Sequence, residues 1–345
     1  TRKRTLFPYT TLFRSALCLE SLASVSAKRP IATVNWKYSL KIIFSAAFAG
    51  WLTVAHAETW RFALIGDVPY SDYERAQLPK MLENIADSQA ELVAHIGDFK
   101  HGKERCDDAI FEDRLQLFNA SRIPFIFVPG DNEWTDCSRK SNGAYEPLER
   151  LSRLRSLFWP NDQSLGRKKL ALVRQSEHTP EHARFRLGPV LFVSLNIPGG
   201  NNNWSKTDNP SPENLARSPL VLGWLKEGFA IARAEGLSGI VLLFQADPGF
   251  TNFAMGMPHP SYREFLAVLR DETIKYPGQV VAVHGDSHIS RIDKPLRDKR
   301  GNQITNFTRV ETFGYPAMGW TRGVIDSESP TLFNFETHPW PSVWP

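Results

Sequence analysis

Four apolar runs in this 345-residue chain end in the dipeptide Gly-Asp, and no other feature limits the fold so strongly. Trp60–Ile65 runs into Gly66-Asp67, Glu91–Ile96 into Gly97-Asp98, Ile123–Val128 through Pro129 into Gly130-Asp131, and Gln279–His284 into Gly285-Asp286. Runs of β-branched and aromatic residues of this length read as buried strands. Glycine lets the chain turn sharply where a strand stops, and the aspartate after it arrives at the sheet's C-terminal edge, where open α/β sheets bind ligands. One such dipeptide is an ordinary turn. Four of them, with Asn132 and His288 alongside, gather carboxylates that repel one another unless cations sit between them, which points to a metal centre.

The segments between these strands read as helices that cover a sheet. Tyr73–Ala86 places Leu78, Met81, Leu82 and Ile85 on one face, the spacing of an amphipathic helix, and Asp107–Ala120 and Glu146–Phe158 follow the same logic. Residues 159–182 lack periodicity and read as a surface excursion. Ala183–Leu187 and Val190–Asn196 form a hairpin through Gly188-Pro189 and open a second sheet. A helix over Leu220–Glu235, a strand over Gly239–Gln245, a helix over Tyr262–Tyr276 and closing strands over Asn306–Phe313 and Val324–Phe335 complete the pattern. Parallel β-α-β units first and mixed strands later imply two sheets packed face to face with helices outside.

The first 57 residues follow a different logic. Thr5–Ser15 reads like an in-frame translation of a sequencing adapter, so 1–15 is set apart as an artefact and 16–36 as doubtful upstream sequence, with Val34 a candidate GTG start. Residues 37–57 carry Lys37 and Lys41, an apolar run from Ile42 to Val54, and Ala55-His56-Ala57 before Glu58. That is the layout of a secretory signal peptide, and its apolar run is shorter than the ~20 residues that span a bilayer. The expectation is a periplasmic or secreted bacterial protein with one domain over 58–345 and no stable membrane span after cleavage. Residues 1–57 hold eight of the 41 Lys and Arg and one of the 37 Asp and Glu, so the remainder carries 33 basic against 36 acidic side chains. The formal charge of +4 therefore belongs to the leader, and a nucleic-acid partner loses its support.

With Cys18 in the leader, Cys106 and Cys137 are the remaining pair, each a few residues beyond a Gly-Asp strand end. Export favours a disulfide between them over a metal role or two free thiols, because two thiols without a C-x-x-C spacing make a poor zinc site.

The motifs resemble those of the calcineurin-like metallophosphoesterases, whose pattern is DxH, GD, GNH followed by Asp or Glu, a His after a strand, and GHxH. Here the order is Asp67-Val68-Pro69, Gly97-Asp98, Gly130-Asp131-Asn132-Glu133, Gln245-Ala246-Asp247 and Gly285-Asp286-Ser287-His288, and Gly130–Cys137 looks like an exported bacterial branch. The resemblance implies an α/β fold, a metallophosphatase-like sandwich of two mixed β-sheets flanked by helices. It also implies two divalent metal ions (Mn, Fe, Zn or Mg) and a small phosphorylated substrate, a phosphate mono- or diester or anhydride, attacked by a metal-bridged hydroxide.

Carried over residue by residue, Asp98 is the carboxylate shared by both ions, and Asp67 and His288 complete one of them. Pro69 stands where the family has a histidine ligand; His101, three residues after Asp98, is either its substitute or a bystander. The other ion takes Asp131, Asp286 and one of Gln245 and Asp247, a more anionic set that favours hard cations. Asn132 replaces the histidine that steadies the phosphoryl oxygen and protonates the leaving group, and an amide has no proton to give. A catalytic acid would then be His284, His101 or Glu133, or the leaving group would depart without one. Asn201-Asn202-Asn203-Trp204 and Trp134 are expected to line the substrate approach. The alternative to an enzyme is a non-catalytic relative that keeps the pocket to bind metal or a phosphorylated ligand.

Overall fold

A computed structural model describes residues 58–341 apart from 206 and 208; the leader expected at 1–57, with its cleavage site, lies outside the described residues. The described chain forms two mixed sheets. In the first, β1 (Thr59–Ile65), β2 (Leu92–His95) and β3 (Phe125–Phe127) run parallel, and α1 (Asp72–Asp87) and α2 (Asp108–Asn119) cross between them. After α3 (Pro147–Phe158) comes the second sheet, built from β4 (Val173–Arg174), β5 (Ala183–Leu187), β6 (Val190–Ser194), β7 (Gly239–Leu243), β8 (Gln279–His284), β9 (Arg291–Asp293) and β10 (Phe307–Glu311). Inside its span lie α4 (Gly199–Asn202), α5 (Pro212–Ala234), α6 (Phe250–Ala254) and α7 (Pro260–Lys275). β11 (Gly319–Asp326) and β12 (Phe333–Pro339) return to the first sheet, β11 antiparallel to β1. The strand orders are β12-β11-β1-β2-β3 and β4-β5-β6-β7-β8-β10-β9.

The strands read as continuous apolar runs because both of their faces are covered. In β1, Phe62 and Leu64 point between the sheets, against Phe192, Val241 and Val283, while Ala63 and Ile65 point outward to Leu78, Met81 and Ile85 of α1. β8 alternates likewise. Val281 and Val283 face the first sheet, and Val280 and Ala282 face Phe265, Leu266 and Leu269 of α7. Helices sit on both outer faces, as the element order requires.

Two boundaries differ from the sequence reading. α5 starts eight residues before Leu220, because Ser211 accepts the Asn214 amide at 3.0 Å and Pro212 occupies the first helical position, where its missing N–H costs nothing. The single strand expected over 324–335 is a hairpin, with β11 and β12 separated by a turn in which Leu332 adopts a φ of 60°. The excursion over 159–182 contributes only the two-residue β4. Among the described residues, no helix is long and apolar enough to cross a membrane.

A disulfide joins the buried Cys106 and Cys137, tying the loop after β2 to the loop after β3. Their separation of 31 residues predicts that replacing both by serine lowers the unfolding free energy by about 3–4 kcal/mol, read by denaturant titration. Unreduced, denatured protein should show no titratable pair of thiols, and two thiols would contradict the bond.

Candidate active site

The sheets bring five strand ends to one edge. Level pairing of Ile65 with His95 and of His95 with Phe127 sets the ends of β1, β2 and β3 side by side, so Asp67, Asp98 and Asp131 emerge together. β7 and β8 pair in parallel in the facing sheet and deliver Gln245 and Asp286 to the same place. The turns are tight. Asp67, Asp98, Asp286 and His288 hold φ values of 50°, 58°, 74° and 61°, a left-handed backbone that costs non-glycine residues energy and marks functional sites. A Cβ on Gly130 would lie 2.0 Å from Asp98 Oδ1, and one on Gly285 would lie 2.2 Å from Asp67 Oδ2. Those glycines are required because the carboxylate of another motif occupies the space a side chain would take.

Asp98 is the hub. Its Oδ2 accepts Asn132 Nδ2 at 2.9 Å, Tyr70 Oη at 3.0 Å and Gln245 Nε2 at 3.2 Å, and its Oδ1 accepts the Asn132 amide at 3.1 Å. Asp67 Oδ1 lies 3.5 Å from His288 Nε2 and 3.4 Å from Tyr70 Oη, and the Asp286 amide donates to both Asp67 oxygens at 3.2 Å. Asp286 Oδ2 accepts the Asp247 amide at 2.9 Å. Burial, then mutual repulsion with Asp131, Glu133, Asp67 and Asp286, holds the Asp98 carboxyl well above its ordinary range. Burial and Asp286 do the same to Asp131, and burial chiefly lifts Asp286 to about 6.

Few cations answer this charge. Lys100 is buried, but its Nζ donates to the carbonyls of His101 and Glu104. Burial lowers the pKa of His288, but the hydrogen bond and charge of Asp67, with the Tyr315 carbonyl and the charge of Asp286, together raise it to about 8. Glu133 is a structural clamp. Its carboxylate accepts the amides of Asp98 at 3.2 Å, Gly130 at 2.8 Å and Phe99, which locks the loops after β2 and β3 together. That role leaves it no proton-donating access to a substrate. A roof crosses the pocket at α4, one left-handed turn in which Gly200, Asn201, Asn202 and Asn203 have φ between 53° and 59°. There Gly199 donates its amide to Gln245 Oε1 and lies against Asp131 and Asp286.

Some expected residues do not join. His284 is on the helix-facing side of β8, its ring between Phe244 and Phe250 at 6.0 Å from each, and Nδ1 is 2.9 Å from the Gly285 carbonyl oxygen. Strand alternation forces this, since Val283 faces the other sheet and Gly285 begins the turn. Asp247 is turned to Arg291 at 3.0 Å, so Gln245 is the residue after β7 that reaches Asp98. His101 accepts the Lys103 amide at 3.0 Å and meets the pocket through the edges of the Tyr70 and Tyr315 rings. Trp134 is fully buried under Arg217 and lines no approach; Trp204 borders a cavity of about 200 Å³ beside the roof, with Asn202 and Arg217. Tyr70 is the pocket residue that the motif pattern passes over. Its signal in the sequence is the three-residue offset from Asp67, the same offset that separates His101 from Asp98.

The pocket predicts an inverted pH dependence for the cation-free protein. Burial, against three amide hydrogen bonds, raises Glu133 to about 7. Glu133, Asp286 and His288 thus all hold folded pKa values above their ordinary ones, so each stabilises the fold at low pH and loses that contribution as pH rises through the folded value. In chelator, the melting temperature should fall between about pH 4 and 8. A rise over that range would contradict the arrangement.

As for donors, no three His, Cys, Asp or Glu side chains alone form a close metal-ligand cluster among the described residues. The chemistry nonetheless fits hard divalent cations, because carboxylates from four motifs, those of Asp67, Asp98 and Asp131 buried, face one another with the His288 imidazole beside Asp67.

Several solved structures resemble the chain at low identity. A dimetal phosphatase from Danio rerio is 13% identical with a TM-score of 0.46, the match covering 82% of this chain and 99% of that one. A purple acid phosphatase from yellow lupin (Lupinus luteus) seeds is 11% identical with a TM-score of 0.48, covering 82% and 52%. A 5'-nucleotidase from Candida albicans is 12% identical with a TM-score of 0.41, covering 81% and 51%, so the chain spans about half the length of the last two. No curated protein sequence matches. The calcineurin-like phosphoesterase family model matches residues 61–290, more than half of the chain and all four Gly-Asp strand ends, and the chain belongs to that family of hydrolases acting on phosphate esters.

Proposed function

We propose that this protein is an exported bacterial phosphoesterase that uses two divalent cations to hydrolyse a phosphate mono- or diester, or an anhydride. The observation that carries the reading is the convergence of Asp67, Asp98, Asp131 and Asp286 from four strand ends, with Asp98 between the other three. Asp67 and His288 would hold one cation, Asp131, Asp286 and Gln245 the other, and Asp98 both. Bound there, divalent cations supply a nucleophile from water at neutral pH and shield the phosphate charge. The disulfide accords with an oxidising compartment outside the cytoplasm.

The chain's own residues then set the leaving-group preference. Asn132 Nδ2 reaches into the pocket, within 2.9 Å of both Asp98 and Tyr70, so it can donate a hydrogen bond to a phosphoryl oxygen and hold it in place. It cannot protonate a departing alkoxide. With His284 in the core and Glu133 committed to backbone amides, the site suits leaving groups that depart as stable anions, such as phenolates and phosphates.

Metal analysis of the purified protein, paired with aryl phosphomonoester and diester assays, tests the reading. Two equivalents of divalent cation with turnover are expected; cation uptake without turnover on any phosphoester would leave a binding protein instead. Asp98→Asn should weaken both cations together and abolish turnover, whereas Asp67→Asn should spare much of one cation. Asn132→His should raise turnover of poor leaving groups by about 10²-fold and of good ones far less. An equal effect on both classes would show that the absent histidine is not what limits the reaction.

A further inference from the structure

We propose that the Tyr70 hydroxyl is itself a cation ligand, doing what a histidine at position 69 would have done. The inference rests on the two-cation reading and adds a ligand to it.

Pro69 offers no donor atom, and the next residue places one at the site. Tyr70 Oη is 3.0 Å from Asp98 Oδ2 and 3.4 Å from Asp67 Oδ1, and His288 Nε2 is 3.5 Å from that same Asp67 oxygen. Ligands about 2.1 Å from a six-coordinate cation stand roughly 3 Å apart when adjacent. The three gaps therefore have the spacing of neighbouring donors around one ion, running Asp98, Tyr70, Asp67, His288. Without Tyr70 this chain of close donors breaks between Asp98 and Asp67.

The ring is held for that task. The Tyr70 amide donates to Glu74 Oε2 at 2.6 Å, at the start of α1. The His101 and His288 rings meet the phenol edge-on at 5.5 and 5.3 Å, and Tyr315 stacks beside it at 6.3 Å. Asn132 Nδ2 donates to Oη at 2.9 Å, so the oxygen is aimed into the carboxylate pocket and not at solvent. With a cation held there, the Oη proton now donated to Asp98 Oδ2 would go to solvent. His101, earlier a candidate for the vacant ligand position, becomes a wall for the phenol.

The test uses full-length mature protein stripped with chelator and titrated with Mg²⁺ or Mn²⁺, followed by calorimetry, metal analysis and near-ultraviolet difference absorbance. The unaltered protein should bind two cations and give the difference band of a tyrosine oxygen joined to a cation. Tyr70→Phe should lose that band and bind one cation about 10²-fold more weakly, keeping most of its affinity for the other. Tyr70→His should recover affinity without the band. If the unaltered protein takes up no divalent cation, the two-cation reading fails and this assignment with it. If it binds two but shows no tyrosine band, or Tyr70→Phe binds both as tightly, the Tyr70 assignment alone is overturned. Loss of turnover with native cation affinity in Tyr70→Phe would overturn it as well, by showing that the hydroxyl acts on the substrate.

Discussion

The structure depends on a repulsion it does not relieve by itself. Asp67, Asp98 and Asp131 are withdrawn from water and pressed together with the half-buried Asp286 where two sheets meet, with the His288 ring beside Asp67 and the buried lysine turned away. Placing that much like charge in a low-dielectric interior costs more than any nearby hydrogen bond returns. Protons reduce the cost in mild acid, and divalent cations bound there would remove it at neutral pH. The rest of the fold reads as the means of holding these groups in position: level strand pairing, left-handed turns, glycines that leave room for a neighbour's carboxylate, and the Glu133 clamp on three amides.

The two halves of the pocket differ in donor chemistry. The Asp67 half keeps a nitrogen donor, His288, fixed by the Tyr315 carbonyl at 2.8 Å. Such a second contact sets the tautomer and direction of a ligating imidazole. The half containing Asp131, Asp286 and Gln245 offers only oxygen donors, which suits Mg²⁺, Mn²⁺ or Ca²⁺ better than softer ions. The roof over this half holds four consecutive left-handed residues, Gly200 to Asn203. It is anchored by Arg217, which donates to Asn202 Oδ1 at 2.8 Å and to the Asn196 carbonyl at 2.9 Å.

Much of this was legible in the sequence because backbone geometry leaves marks. Strand-Gly-Asp recurs since a turn at a crowded sheet edge excludes a Cβ, and the order of strands and helices gives the two-sheet sandwich directly. Side-chain direction was less legible. His284 and Asp247 belong to the right segments, yet strand alternation sends one into the helix-facing core, and Arg291 draws the other away. Gln245 and Tyr70 lack the residue types by which metal sites are usually recognised, and their convergence on one oxygen of Asp98 links residues 70, 98 and 245, which only the folded topology brings together. The start of α5 escapes a periodicity reading because its first turns are rich in proline and polar groups, where capping by Ser211 and the anchoring of Arg217 matter more than periodicity.

The central claim, that one carboxylate is shared by two cations, is tested most directly by anomalous diffraction from crystals of the mature protein grown with Mn²⁺ near neutral pH. Two anomalous peaks are predicted, both touching Asp98, one beside Asp67, Tyr70 and His288 and the other beside Asp131, Asp286 and Gln245. A single peak that does not touch Asp98, or full-occupancy manganese bound only outside this pocket, would contradict the account.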